Sequence, residues 1–122
     1  MASGNFSVVL DKTKLENLIR ASPGKAVNVV DAMALDGLGY VVRSFTISPS
    51  APGEPPGVDT GALKNSIHIE KPGEFSRSIV TAVDYAVHLE FGTEKMAARP
   101  FFGPMANYLQ RHVMDYWQKF VE

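Results

Sequence analysis

The stretch PGKAVNVVDAMALDGLGYVVRSFT, Pro23 to Thr46, decides the fold. Val27, Val30, Ala34, Leu38, Val41 and Phe45 recur at spacings of 3, 4, 4, 3 and 4, a continuous apolar stripe along one side of a helix. Ser22-Pro23 starts it: serine is a favoured N-cap, and proline in the first turn forfeits only an amide that has no helical partner. The spacing therefore predicts one long helix over 23–46. Gly37 and Gly39 interrupt it at about 1 kcal/mol each relative to alanine, which marks either close packing against a neighbour or a local bend.

Working outward, Leu15, Leu18 and Ile19 share one face of a shorter helix over 12–21, with Asp11 or Thr13 as its cap. Before it, Phe6, Val8 and Leu10 alternate as a strand does over 6–10. After the long helix comes SPSAPGEPPG, residues 48–57, whose prolines and glycines exclude both helix and sheet and predict an extended loop. Asp59 or Thr60 caps a short turn over 61–65. Ile67 and Ile69 then alternate with His68 and Glu70. Pro72-Gly73 takes the centre of a type II turn, and Ile79, Thr81 and Val83 form the return strand, giving a hairpin over 66–83. Asp84 caps a helix through Phe91, which Gly92 ends in a left-handed conformation. Met105, Leu109, Val113, Trp117 and Phe120 supply the buried side of a last helix over 103–121.

The expectation is one α+β domain over 1–122. A small, mostly antiparallel sheet (6–10, 66–71, 75–83) is packed by the long 23–46 helix and the C-terminal helix, with a long Pro/Gly-rich loop between. The sheet face carries Ile67, Ile69, Ile79 and Val83, and the helices bury Val30, Leu38, Val41, Leu109, Val113 and Trp117 against it.

The 122 residues are 45% hydrophobic and 20% charged, the balance of a globular domain rather than a disordered chain. Twelve basic residues against 13 acidic exclude a strongly basic nucleic-acid surface. Lys12, Lys14, Arg20 and Lys25, and Lys64, Lys71 and Arg77 around the hairpin, read as solvated faces. With no cysteine, disulfide scaffolds, cysteine zinc sites and thiol chemistry are excluded, and a reducing compartment such as bacterial cytoplasm is permitted. No apolar run reaches the ~20 residues that span a bilayer, and the start lacks a charged signal-peptide head. His68, His88 and His112 have no metal-ligand spacing, so no metal and no cofactor is expected.

Two stretches carry the letters of catalytic signatures. Ser66, His68 and Asp59 hold the letters of a triad without a nucleophile elbow. Val58-Asp59-Thr60-Gly61-Ala62 resembles the signature of aspartic proteases, where a homodimer would supply one Asp59 per subunit. Pro-Gly-Glu-Pro-Pro-Gly stands where that family has an apolar strand, and the chain is too helical for it. Helix capping is the simpler role for Asp59 and Thr60.

Three motifs in order say more than any one of them. VDTGALKNSI (Val58 to Ile67), DYAVHLEFGT (Asp84 to Thr93) and ARPFFGPM (Ala98 to Met105) follow one another along the chain. This succession resembles the minor neck, or tail-completion, family of long-tailed bacteriophages, the head–tail joining proteins, over about residues 55–120. The resemblance implies a non-enzymatic structural subunit of the virion, assembled in host cytoplasm. Such subunits form a ring, commonly sixfold, at the head–tail junction. Its partners are further copies of itself and neighbouring neck and tail-tube proteins; DNA passes without specific binding, and no membrane is involved. The tail terminator, a ring capping the tail tube, is the related alternative. Candidate interface or structural-corner residues are Asp59, Thr60, Gly61, Glu90, Phe91, Gly92, Arg99, Pro100 and Phe101. In that corner the Arg99 guanidinium is expected to hold the Glu90 carboxylate. The corner either joins copies or docks the C-terminal helix within the chain.

Overall fold

The computed structural model describes residues 12–45, 61–95 and 97–121. The expected strand over 6–10, the loop over 48–57, the possible cap Asp11, and Asp59 and Thr60 lie outside the described residues. The chain is α+β. Its elements in order are α1 (Lys12–Ala21), α2 (Pro23–Ser44), α3 (Gly61–Ser66), β1 (His68–Gly73), β2 (Ser76–Val80), α4 (Ala86–Phe91), α5 (Phe102–Arg111) and α6 (Val113–Phe120). Among the described residues the sheet is one antiparallel pair, β1 with β2.

Helix α2 is the axis of the fold. The only residue between α1 and α2 is Ser22, whose N–H donates to the Leu18 carbonyl at 2.7 Å while its own carbonyl accepts from Ala26 at 3.2 Å. Pro23 opens α2 as expected, although Ser22 caps through its backbone and not its hydroxyl. Helix α1 with Leu18, the hairpin, and both C-terminal helices pack around α2. The hairpin and the C-terminal helices both lean on α2. Its buried positions are Ala26, Val29, Met33, Ala34, Gly37 and Val41, with Phe45 at the C-cap. Val27, Val30 and Leu38, expected inside, are only half-buried. Val29 and Val30 are adjacent and equally apolar, so spacing alone did not distinguish the two faces.

Gly37 explains one of the two glycines. A Cβ there would lie 2.7 Å from Cδ1 of Ile79, 3.0 Å from Cδ1 of Leu109 and 3.1 Å from Sδ of Met105. Helix α2, β2 and α5 thus converge on a spot with no room for a side chain. A Cβ on Gly39 would meet only the Arg43 guanidinium of the same helix.

The hairpin turns later than expected. Gly73 pairs with Ser76, so Glu74-Phe75 form the loop and Pro72-Gly73 belong to β1. The register slips between Glu70 and Gly73, where Pro72 has no N–H to give a ladder. Ile69 pairs with Ile79 as the alternation required, and β2 stops at Val80 rather than Val83. Arg77, read as a solvated charge, is instead the hairpin's clasp. Its side chain is only 7% exposed; Nε donates to Asp31 of α2 at 2.6 Å, and Nη1 donates to the carbonyls of Gly73, Glu74 and Ser76 at 3.1, 3.0 and 2.8 Å.

The expected last helix is two. His112, between α5 and α6, shares its N–H between the Tyr108 and Leu109 carbonyls at 3.2 and 3.1 Å, and the regular helix is interrupted there. In α6 Tyr116 is buried, and Trp117, expected inside, is only half-buried. A run of i+4 steps overshoots a full turn by about 40° each time, so a stripe through Val113 and Trp117 drifts off the core, and Tyr116, three residues after Val113, takes the inward place.

Candidate functional site

The second and third motifs fold into a single corner. Helix α4 begins at Ala86 after Tyr85, with no side-chain cap, so Asp84 does not take the capping role expected of it. It ends at Gly92, whose N–H donates to the His88 carbonyl at 2.7 Å and whose φ of 75° and ψ of 176° suit glycine alone. The chain then returns, and the Arg99 N–H donates to the Leu89 carbonyl at 2.6 Å. Pro100 follows, and Phe101, 1% exposed, fills the core with its ring centroid 5.9 Å from that of Phe45 and 4.6 Å from that of Phe102.

Glu90 locks this corner. It is 7% exposed, and its Oε1 accepts the N–H groups of Phe101 and Phe102 at 3.1 and 2.8 Å, while Oε2 accepts that of Gly103 at 3.0 Å. These are amides at the start of α5, where helices carry unsatisfied donors and a partial positive charge. The expected guanidinium fork is replaced by this backbone cap; Arg99 donates from Nη1 to the Ala97 carbonyl at 3.4 Å. Pro104 sits in the first turn of α5, where its missing N–H costs nothing. Glu90 and Phe101 are therefore an internal joint. Phe91 beside them turns outward at 53% exposed, as does Tyr85 at 41%.

The first motif is described from Gly61. Leu63 and Ile67 are buried, and the Ser66 hydroxyl donates to the Leu63 carbonyl at 2.7 Å and hydrogen-bonds the Thr81 hydroxyl. His68 reaches only the Ser66 carbonyl, with Nδ1 at 2.8 Å, and Glu70, with Nε2 at 3.0 Å. A serine–histidine couple is not formed, because the hydroxyl is occupied and the ring faces the carbonyl. The Ser66 carbonyl, and then Glu70, hold the His68 pKa above its ordinary value. Among the described residues no group of three or more His, Asp or Glu side chains is placed to hold a metal ion. No helix among them is long and apolar enough to cross a membrane.

A concavity also escaped the sequence reading. A groove of about 390 Å³ runs between α2 and the C-terminal helices, walled by Leu35 and Asp36 on one side and Tyr108, Asp115, Tyr116 and Phe120 on the other. Burial pushes the Tyr116 phenol well above its ordinary pKa, and the Asp36 carboxylate that accepts its hydrogen bond pushes it further. Tyr108 stacks on Tyr40 with ring centroids 4.8 Å apart and lies tilted against His112 at 4.6 Å, and His112 Nδ1 lies 2.8 Å from Asp115. The signals were present as Asp36–Tyr40 and Tyr108–His112, both i,i+4 pairs, but nothing local says that two such pairs face each other.

The chain matches no protein-family model, no curated protein and no solved structure.

Proposed function

We propose that this chain is a structural subunit of a bacteriophage neck, acting in head–tail joining or tail completion as one member of a ring, with no catalytic role. The observation that carries the reading is the order of three motifs, Val58 to Ile67, Asp84 to Thr93 and Ala98 to Met105, which resembles the tail-completion family. The corner supports it in physical terms. Glu90 and the three amides it caps make the joint between the second and third motifs stiff, while Phe91 on the same turn is presented to solvent. A rigid joint carrying an outward aromatic suits a subunit that must meet copies of itself in one fixed orientation.

The deciding experiment is imaging of particles assembled without this protein. Filled heads and finished tails that fail to join are the expected result. Joined, infectious particles would overturn the proposal, and tails of unregulated length would move the chain to the tail-terminator ring.

A further inference from the structure

We propose that the hairpin tip, residues 71–77, is a two-state element: the Arg77–Asp31 pair holds its observed shape, and without that latch it turns at Pro72-Gly73. The tip's own preferences oppose the shape it has. Pro72 lies within β1 and has no N–H to donate there. Proline followed by glycine suits the two central positions of a type II turn, the second of which needs a positive φ. Gly73 does not have one, since among the described residues the positive-φ glycine is Gly92. Nor does crowding call for glycine, because a Cβ would meet the Ser76 Oγ at 3.1 Å, which rotation of the hydroxyl relieves.

Arg77 offsets these costs. The carbonyls of Gly73, Glu74 and Ser76 converge on its Nη1, and oxygens aimed at one point repel one another unless a positive charge sits between them. The guanidinium itself is nearly buried and needs a counter-ion, which Asp31 supplies at Nε. With Asp31 gone, the arginine turns to water, the carbonyls lose their centre and the tip follows its local preference. The base of the hairpin does not follow. His68, Ile69 and Glu70 stay paired with Val80, Ile79 and Ser78, because Ile79 fills the space over Gly37 and the Ser66 hydroxyl is bonded to that of Thr81. The register slip between Glu70 and Gly73 is the boundary between the two parts. The Asp31 side chain is 39% exposed, which leaves the latch within reach of a competing cation. The device stands apart from the neck reading, since it operates whatever assembly the chain belongs to.

The test is the pattern of nuclear Overhauser contacts in the full chain and in Asp31→Ala and Arg77→Gln. The parent should show the cross-strand contact between Gly73 and Ser76. Both variants should lose it and gain a short amide–amide contact between Gly73 and Glu74, while the contact between Ile69 and Ile79 persists and reports that the fold is intact. Adding Gly73→Ala supplies the second arm. Alanine is strained at the positive φ of the type II turn but not in a strand, so Asp31→Ala with Gly73→Ala should recover the parent pattern. An unchanged tip in both single variants, loss of the Ile69–Ile79 contact along with the tip, or no recovery in the double variant would overturn the proposal.

Discussion

A buried carboxylate needs donors to replace the water it has lost, and Glu90 finds them in consecutive backbone amides, those of Phe101, Phe102 and Gly103. Removing it leaves those amides at a closed helix start, so Glu90→Ala should destabilise the chain by about 2–4 kcal/mol in a urea titration. Glu90→Gln should cost less, because one oxygen still accepts from Phe101 and Phe102 while the amide nitrogen faces the Gly103 N–H. Equal losses in the two variants would show that charge, and not acceptor geometry, holds the corner. The sequence brought Glu90 and Arg99 to one corner but chose the wrong donor. A guanidinium is visible as a letter, whereas the free amides of a helix start belong to a backbone shape that no letter carries. His68 makes a smaller prediction. Its raised pKa means that protonation is favoured in the folded state, so its contribution is complete below the unfolded value of 6.5 and fades as pH rises through the raised midpoint. An NMR titration should place that midpoint above 6.5 and find it lowered in Glu70→Gln; an unmoved midpoint would leave the Ser66 carbonyl as the whole cause.

At the scale of elements, apolar spacing located α1 and the face it buries, Leu15, Leu18 and Ile19, and located α2 without deciding which of its adjacent apolar residues turns fully inward. Where Val29 and Val30 sit side by side, either can turn inward, and packing against α1 at one end and β2 and α5 at the other settles it. The hairpin was legible from Ile67, Ile69 and Ile79, but its turn was not. Pro72-Gly73 is a strong turn signal that the Arg77 clasp overrides, since its bonds to the Gly73, Glu74 and Ser76 carbonyls and to Asp31 hold the loop two residues later. The same contrast between local propensity and tertiary packing separates the two glycines of α2. Gly39→Ala should stabilise the chain by about 0.5–1 kcal/mol, the gain in helix propensity, because only the mobile Arg43 head must move. Gly37→Ala gains the same propensity but must displace Ile79, Leu109 and Met105 together, an overpacking cost of about 1–3 kcal/mol. Thermal or urea denaturation should therefore raise the midpoint of the first variant and lower that of the second. Equal shifts of one sign would mean that the junction at Gly37 has slack.

For the whole molecule, a single cluster of buried side chains draws on all six helices described, from Leu18 in α1 to Tyr116 in α6. Among the described residues four large apolar side chains are exposed, Leu35, Tyr85, Phe91 and Met114. Phe91 stands on the motif-bearing corner at the last residue of α4. The decisive variant there should remove the aromatic surface without disturbing the helix. Phe91→Lys meets that need: a cation is favoured at a helix C-terminus, and its methylene stem can cover part of the surface the ring covers now. Stability should fall by no more than about 1 kcal/mol, since the ring is 53% exposed and loses only the buried remainder of its transfer energy. If copies meet through this corner, sedimentation velocity should show the variant shifted from ring to smaller species at concentrations where the parent chain assembles, because the outer aromatic of a rigid joint becomes a repelled charge at every contact of the ring at once. A variant that forms rings as readily as the parent would leave Glu90, Gly92 and Phe101 as an internal joint alone and move the contact between copies to another face.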